Sequence, residues 1–370
     1  MYGIPAYSEI DPTPFLAFTF PLLFGIMFGD IGHGIVLVIS GLIGALIFRK
    51  KKSKDFLNFC WIIFYCGWGA ILMGSLYGEF FGMQEIDLFG ILIIPLEPVI
   101  IPVLNITLHN PIDNIITVFL FAVLIGVIHI NLGWFVQFLN YWKQSRKYLA
   151  VTDSLIKILL LTGGAVLIFT YQFNINLWLA PPYPILLPLI PGLLLIILKP
   201  LGKIFGLSYM KHETYGGLVG EGSMETFETV LSIVSNVASY IRLLALALAH
   251  ISLMIAIQAM IGINTGVGIG FEIVRIIGLI FGNLVVILLE GLLVFLNALR
   301  LHFYEFFFKF YQGSGTQFFP FFLNTNYSII IFKEIAEKDV ISEEIKKEIE
   351  LKSAQEEVNK ALDYISKKYF

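Results

Sequence analysis

Long apolar stretches almost free of charge recur along this chain of 370 residues. Hydrophobic residues make up 57% of it and charged residues only 14%, whereas about 25% of a soluble domain is charged. A stretch of about 18 apolar residues is long enough to cross a bilayer as a helix. The chain is therefore predicted to be an all-α polytopic membrane protein of about eight transmembrane helices, which excludes an ordinary soluble enzyme. The predicted spans lie near 15–28, 31–48, 56–78, 114–140, 154–172, 183–205, 223–261 and 270–310.

Basic residues are confined to alternate loops. The loops near 79–113, 173–182 and 262–269 contain no Lys or Arg. Because cytoplasmic loops carry the excess of Lys and Arg, both chain ends are predicted to be cytoplasmic. The basic residues that follow spans two, four and six are Arg49, Lys50, Lys51, Lys52, Lys54, Lys143, Arg146, Lys147, Lys199, Lys203 and Lys211.

The last two spans are too long for one perpendicular crossing. Span seven, near 223–261, would measure about 58 Å as a helix, against a hydrocarbon core of about 30 Å. Both spans are therefore predicted to be strongly tilted or to extend into water. Arg242 lies inside span seven with apolar sequence on both sides. A charged Arg there costs at least about 2.5–3.5 kcal/mol on insertion scales, so we expect an acidic partner or a water-filled cavity beside it.

Polar residues on both long spans follow helical spacing. Small residues share the face of Arg242 and would let water or another helix approach it. The seven-residue repeat of Asn283, Glu290 and Asn297 keeps three polar groups on one side of span eight. We predict that the two helices line a polar route; the alternative is that these groups only pair to lock helix packing. The further residues assigned to this route are Glu228, Ser235, Ser239, His250 and Arg300.

Other reactive side chains give weaker signals. Asp30 and His33 lie between spans one and two, where Gly29–Gly32 predicts a tight hairpin with Asp30 capping the second helix. Two ligands three residues apart are too few for a metal site, so none is predicted. Cys60 and Cys66 are interpreted as buried apolar residues. A net charge of −3 gives no basic surface for nucleic acid, and no P-loop or other phosphate-binding glycine pattern occurs.

The segments MFGDIGHG at 27–34, SNVASYIRLLALALAH at 235–250 and LEGLLVFLNALRLH at 289–302 carry a family resemblance. EIDPTPF near the start and YQGSGTQFFPF near 311–321 extend it. Together they resemble the membrane domain of the large stator subunit, called subunit a or subunit I, of V-type and archaeal A-type rotary ATPases. The resemblance covers about residues 1–324.

This resemblance implies a stator subunit that forms two half-channels for H⁺ or Na⁺ against a rotating proteolipid ring. Arg242 would face the ring carboxylate, with Glu228 and His250 near it on the same helix. Glu290 would be the acidic half-channel residue of the last helix, and Arg300 a second important Arg. The implied partners are the ring, a peripheral stalk, the central stalk and the ATPase head. Neither a cofactor nor a catalytic residue is implied, since ATP chemistry belongs to a partner.

Two features depart from the family pattern. A large cytoplasmic N-terminal domain is usual, whereas Met1 lies almost at the first span, so we expect that domain on a separate polypeptide or cut away. The chain after about residue 324 has no counterpart in the family, so the predicted organisation is a transmembrane domain over 1–324 and a charged cytoplasmic helical tail over 325–370. Apolar spacing within 333–370 predicts one or two amphipathic helices, either docking a soluble partner or fraying in solvent. The expected location is the cell membrane of an archaeon or bacterium.

Two other functions are compatible with a polytopic membrane chain. A stand-alone secondary cation transporter commonly has internal repeats, but the helix that carries Arg242 has no twin among the first four spans. A membrane anchor without transport activity would tolerate substitution of Arg242. The identity of the ion, and the direction in which the machine runs, are left open by the sequence.

Overall fold

The computed structural model consists of two compact units, Met1–Gln317 and Phe318–Phe370. The first unit carries nearly all the helices of interest, and within the second only a helix at 350–362 is described. The residues that the structure describes are 3–49, 54–82, 86–88, 91–93, 100–101, 106–107, 111–112, 114–171, 174–204, 215–262, 269–316 and 350–362.

Twelve α-helices and two π-helical segments are described in the first unit. The α-helices are α1 (Thr13–Met27), α2 (Ile31–Phe48), α3 (Lys54–Tyr77), α4 (Ile115–Lys143), α5 (Lys147–Leu149), α6 (Ile156–Tyr171), α7 (Ile175–Trp178), α8 (Leu186–Ile204), α9 (Tyr215–Ser239), α10 (Ile241–Gly262), α11 (Ile269–Arg300) and α12 (Phe308–Phe310). The π-helical segments are Ala150–Leu155, between α5 and α6, and Leu301–Phe307, between α11 and α12.

Six of the described helices are long and apolar enough to cross a membrane. This confirms the predicted all-α membrane fold. The count of eight spans stays a prediction, because α1 and the apolar part of α8, Leu186–Leu198, are shorter than a full span. The six are Ile31–Phe48, Lys54–Tyr77, Ile115–Lys143, Lys147–Tyr171, Gly216–Met260 and Ile276–Phe310.

Two small antiparallel hairpins lie between α3 and α4. Strands β1 (Ile86–Leu88) and β2 (Ile91–Ile93) pair with Ile86 opposite Ile93. Strands β3 (Ile100–Ile101) and β4 (Ile106–Thr107) pair with Ile100 opposite Thr107. The predicted acidic loop at 79–113 therefore contains strand structure, although most of it, His109 included, lies outside the described residues.

The predicted hairpin between the first two spans is confirmed. Helix α1 ends at Met27 and α2 begins at Ile31, with Asp30 as its N-cap. The Asp30 carboxylate accepts a hydrogen bond from the backbone N–H of His33 at 3.0 Å. A capping carboxylate satisfies a helical N–H that has no partner inside the helix, which ends one helix and starts the next.

A one-residue break at Tyr240 divides the helix of predicted span seven, although Gly216–Met260 as a whole is long and apolar enough to cross a membrane. Helices α9 and α10 are separated by Tyr240, whose N–H bonds to the carbonyl of Val237 and whose carbonyl accepts from the N–H of Leu243. These three-residue spacings tighten the turn. Span eight is also irregular, because α11 continues into the π-helical segment Leu301–Phe307. The strong tilt of both spans stays a prediction.

The hydrophobic core is shared between the N-terminal hairpin and the last helices. Its largest cluster brings Phe24 and Met27 of α1 together with Ile130 of α4, Leu243 of α10 and Leu301 after α11. Residues far apart in sequence are thereby fixed against one another. Cys60 and Cys66 are buried free thiols, as predicted.

Helix 350–362 confirms that part of the tail is helical. Its described side chains are exposed, including the apolar Val358 and Leu362, each 58% accessible. The other apolar tail positions, Ile341, Ile345, Ile349 and Ile365, lie outside the described side chains. Both predictions for this tail, that it docks a soluble partner or that it frays in solvent, stay predictions.

Helices α1 and α3 approach so closely that glycine is required between them. A Cβ atom added to Gly69 would overlap the backbone carbonyl of Pro21, whereas one added to Gly164 would meet no atom within 4 Å. We expect Gly69→Ala to lower the free energy of unfolding by about 1–3 kcal/mol, as overpacking does. Gly164→Ala should be neutral or stabilising by up to about 1 kcal/mol, because alanine is the better helix former. Thermal unfolding in detergent measures the stability of the two variants. Equal unfolding midpoints for Gly69→Ala and Gly164→Ala would contradict this packing.

Candidate functional site

Helices α10 and α11 run past each other and bring together polar side chains from distant parts of the chain. Near one end of α10, Ser239 bonds to Glu305 of the π-helical segment. Near the middle of α10, His250 bonds to Glu290 of α11 at 2.8 Å. The two contacts define two polar clusters, which we call the arginine cluster and the histidine cluster.

The arginine cluster holds Arg242 beside a carboxylate. The Nη2 group of Arg242 donates to Ser239 Oγ at 3.2 Å, and that hydroxyl donates to Glu305 Oε1. Glu305 is buried and Arg242 is half-buried. The expectation of an acidic partner is therefore met by a residue that the sequence analysis did not single out. Its signal was present, since Glu305 interrupts an apolar run within two turns of Arg300.

A buried contact anchors the break that precedes Arg242. The Tyr240 hydroxyl and His129 Nδ1 lie 2.6 Å apart, and the Tyr240 ring packs where a Cβ on Gly126 would stand. The His129 ring stacks on Phe306, with centroids 4.6 Å apart. Because Arg242 lies two residues beyond Tyr240, this contact anchors the start of α10 to α4 close to the Arg.

The histidine cluster joins α10 and α11 to the N-terminal hairpin. His250 Nδ1 lies 2.8 Å from Glu290 Oε2, and His250 Nε2 lies 3.9 Å from Asp30 Oδ2. His33 Nδ1 lies 3.4 Å from the same Asp30 oxygen, and His33 Nε2 lies 2.9 Å from Asn283 Oδ1. Asp30, His33, His250 and Glu290 are all buried.

Asp30 is held in place by backbone donors. Its carboxylate accepts from the N–H groups of His33 at 3.0 Å, Phe81 at 3.0 Å and Gly82 at 2.7 Å. Glu79 is also buried, and its carboxylate interacts electrostatically with His250 and Asp30. Neither Glu79 oxygen has a hydrogen-bond partner among the residues that the structure describes. Glu79 and His129 stand in no distinctive sequence pattern, and both are buried beside the predicted site.

A cavity of about 570 Å³ opens along α9. Glu228, which is exposed, lines it together with Lys157, Ser232 and Lys309. Lys157 pairs with Asp153, and its Nζ lies 3.4 Å from Glu225 Oε1. The cavity walls are thus polar and carry both signs of charge.

Some predicted residues do not join either cluster. Asn297 Nδ2 donates to Leu293 O of its own helix at 2.8 Å. Ser235 is exposed. Arg300 is also exposed, but it interacts electrostatically with Arg242 and Glu305 and so lies at the edge of the arginine cluster. The predicted roles of all nine assigned residues stay predictions.

The polar groups are spread along α9 and α10. Glu228 and His250 are 22 residues apart, which corresponds to about 33 Å of helix. That length is close to the hydrocarbon thickness of a bilayer, about 30 Å. Arg242 lies between the two, so the cavity, the arginine cluster and the histidine cluster stand at successive positions along α9 and α10.

The comparison with protein-family models connects this arrangement to known proteins. The model of the V-type ATPase 116kDa subunit family matches residues 1–91 and 209–323, together more than half of the chain. The chain belongs to this family. The matched residues include both α9–α10 and α11, and therefore both polar clusters.

Individual members of the family agree. The chain is similar to the A-type ATP synthase subunit I of Aeropyrum pernix, with 30% identity over 342 residues that cover 86% of this chain and 48% of the relative. The subunit I of Pyrococcus horikoshii is 30% identical over 327 residues, covering 87% and 44%. That of Methanocaldococcus jannaschii is 30% identical over 347 residues, covering 89% and 47%. The chain spans about half the length of these curated relatives.

The contacts of the arginine cluster predict how substitutions of Glu305 change the stability of the protein. Glu305→Ala removes the acceptor of Ser239 and the carboxylate beside Arg242, so we expect a loss of about 1–3 kcal/mol in the free energy of unfolding. Glu305→Gln keeps an acceptor and should lose less. Tyr304→Ala, at a neighbouring position that is 60% exposed, is the matched control. Unfolding in detergent would contradict the pairing if Glu305→Ala and Tyr304→Ala had equal midpoints.

Proposed function

We propose that this chain is the ion-translocating stator subunit of an A/V-type rotary ATPase or ATP synthase. In this proposal it forms two half-channels against a proteolipid ring and couples the movement of H⁺ or Na⁺ to rotation. Support comes from membership of the V-type ATPase 116kDa subunit family and from relatives named A-type ATP synthase subunit I.

The observation that carries the proposal is a charged Arg next to an open face. Ile241, Ala245 and Ala249, which surround Arg242 along α10, are exposed in the isolated chain. Small side chains at a helix surface allow a second helix to approach closely within a membrane. A ring helix against this face would come close to the guanidinium, which retains its charge at any physiological pH.

Electrostatics explains why a ring carboxylate would release its ion beside Arg242. A ring carboxylate that passes through lipid must be neutral, carrying a proton or a bound ion, because an isolated buried charge is prohibitively unfavourable. Approach to a fixed cation favours the charged carboxylate and so favours ion release. The same positive charge repels cations and prevents leakage between two half-channels. Lys would serve less well, since it sheds its proton more readily in a desolvated site.

The two sides of Arg242 supply candidates for the half-channels. The cavity lined by Glu228 lies on the α9 side, toward the basic loop that the positive-inside rule assigns to the cytoplasm. The histidine cluster, with His250 and Glu290, lies on the other side. In this proposal Arg242 separates the two routes, and Glu305 together with Ser239 holds it between them.

The surrounding assembly follows from the same proposal. The partners are the proteolipid ring, a peripheral stalk, the central stalk and the ATPase head. The chain itself is a non-catalytic subunit. It lies in the cell membrane of an archaeon or bacterium with both ends cytoplasmic. Residues 1–324 form the transmembrane ion-translocating domain and 325–370 a cytoplasmic tail.

Arg242→Ala tests the proposal directly. In the reconstituted complex we expect coupled ion transport to fall to background while subunit composition is unchanged, because the cation opposite the ring carboxylate is gone. Arg49→Ala, at the end of α2, removes an Arg outside the clusters and should leave transport near the wild-type rate. Ion uptake into proteoliposomes is the measurement. Transport at the wild-type rate in Arg242→Ala would refute the assignment.

Glu290→Gln tests the half-channel assignment. The amide retains hydrogen-bonding capacity toward His250 but cannot exchange protons at neutral pH, so we expect transport to fall several-fold without being abolished. Ser252→Ala is the control on the facing helix, since Ser252 Oγ donates to Leu248 O of its own helix at 2.7 Å. Equal ion uptake by Glu290→Gln, Ser252→Ala and wild type would contradict the role of Glu290.

A further inference from the structure

The hydrogen bonds around His33 determine which of its ring nitrogens is bare. Asn283 Nδ2 donates to Leu279 O at 2.8 Å, which leaves Asn283 Oδ1 as the acceptor facing His33. His33 Nε2 must therefore carry the hydrogen of this 2.9 Å contact. In the neutral ring, Nδ1 is then an unprotonated lone pair, and it has no hydrogen-bond partner among the described residues.

The same reasoning applies to His250. Its Nδ1 lies 2.8 Å from Glu290 Oε2, and a carboxylate accepts only, so Nδ1 carries the hydrogen. In the neutral ring its Nε2 is then the bare nitrogen, again without a hydrogen-bond partner in the part of the chain that is described. Two imidazoles from helices far apart in sequence are thus oriented by Asn283 and Glu290 with their lone pairs turned inward.

The bare nitrogens converge on one carboxylate oxygen. His33 Nδ1 is 3.4 Å and His250 Nε2 is 3.9 Å from Asp30 Oδ2, and the three ligand atoms lie within 4.8 Å of one another. Adjacent ligand atoms around tetrahedral zinc, with bonds of about 2.0–2.1 Å, stand about 3.3 Å apart. His33 Nδ1 and Asp30 Oδ2 stand at about that spacing, and three electron-rich atoms this close together favour a positive charge among them.

We propose that Asp30, His33 and His250 form a binding site for a divalent transition-metal ion, with Zn²⁺ the best fit. Imidazole and carboxylate are ligands that zinc takes, and three protein ligands leave a fourth position open. The outer contacts also match, because a zinc-bound His commonly donates its other N–H to a carboxylate or carbonyl oxygen. Glu290 and Asn283 supply those acceptors for His250 and His33 respectively.

The surroundings favour retention of an ion. Asp30, His33 and His250 are at most 1% exposed, and the Phe28 ring lies beside both imidazoles, at 5.7 and 4.9 Å between centroids. Glu79 is buried and interacts electrostatically with Asp30 and His250, and a dication bound nearby would favour its charged form. The sequence offered only two metal ligands, Asp30 and His33. The fold adds a third ligand, His250.

The consequence for transport rests on the proposed function. If His250 and Glu290 belong to a half-channel, a zinc ion held by His250 occupies that route and stops ion movement. The site is therefore inhibitory: Zn²⁺ should reduce ATP-driven ion uptake in wild type, and removing zinc with a chelator should restore it.

Direct binding to the intact complex is the first test. After treatment with a chelator, the wild-type complex should bind one more ⁶⁵Zn²⁺ ion per copy of this chain than the His33→Gln complex binds. His250→Gln should lose the same ion. Asn283→Leu keeps all three ligands but removes an outer contact, so its affinity should fall about 10-fold or more. His129→Gln, which changes a buried His outside the cluster, should bind like wild type.

The outcomes are decisive in both directions. Equal stoichiometry and affinity in wild type, His33→Gln and His250→Gln would overturn the site and mean that the cluster holds protons or water only. X-ray absorption of the bound zinc should show two imidazole ligands, and a sulfur ligand would also overturn it. Arg242→Ala separates this inference from the proposed function, since it should abolish transport while keeping the same ⁶⁵Zn²⁺ binding.

Discussion

The charge of Arg242 inside an apolar span is the constraint on which the rest of this structure depends. Inserting it costs at least about 2.5–3.5 kcal/mol, and the chain responds with a set of coupled contacts. Ser239, at the end of α9, and Glu305, after α11, compensate the charge. The break between α9 and α10 at Tyr240 is anchored to α4 by His129. Two helices and the segment after α11 are thus arranged around one cation.

The N-terminal hairpin is tied to the same arrangement from the other side. Asp30 both starts α2 and faces His250 of α10, more than 200 residues away. Its oxygens are fixed by the N–H groups of Phe81 and Gly82 beyond α3. A residue that local sequence identifies as a helix cap therefore also completes a site between distant helices. The close approach of α1 and α3 at Gly69 holds this hairpin together.

The sequence alone was sufficient to predict those parts of the fold that depend only on neighbouring residues. Apolar length predicted the helices, and the spacing of Gly29, Asp30 and Gly32 predicted the hairpin and its cap. It failed where a distant partner decides the outcome. The break at Tyr240 is anchored by His129, 111 residues earlier, and no local pattern reports that contact. Likewise, Asp30 and His33 lacked a third ligand until folding brought His250 beside them.

The central claim is that the face of α10 around Arg242 lies against a proteolipid ring, and disulfide cross-linking measures this most directly. With Cys60 and Cys66 replaced, a Cys at Ala245 or Ala249 should cross-link under oxidation to a Cys placed beside the ring carboxylate. A Cys at Ile39 of α2, 51% exposed in the isolated chain, should not. Cross-links from Ile39 with none from Ala245 or Ala249 would contradict the account.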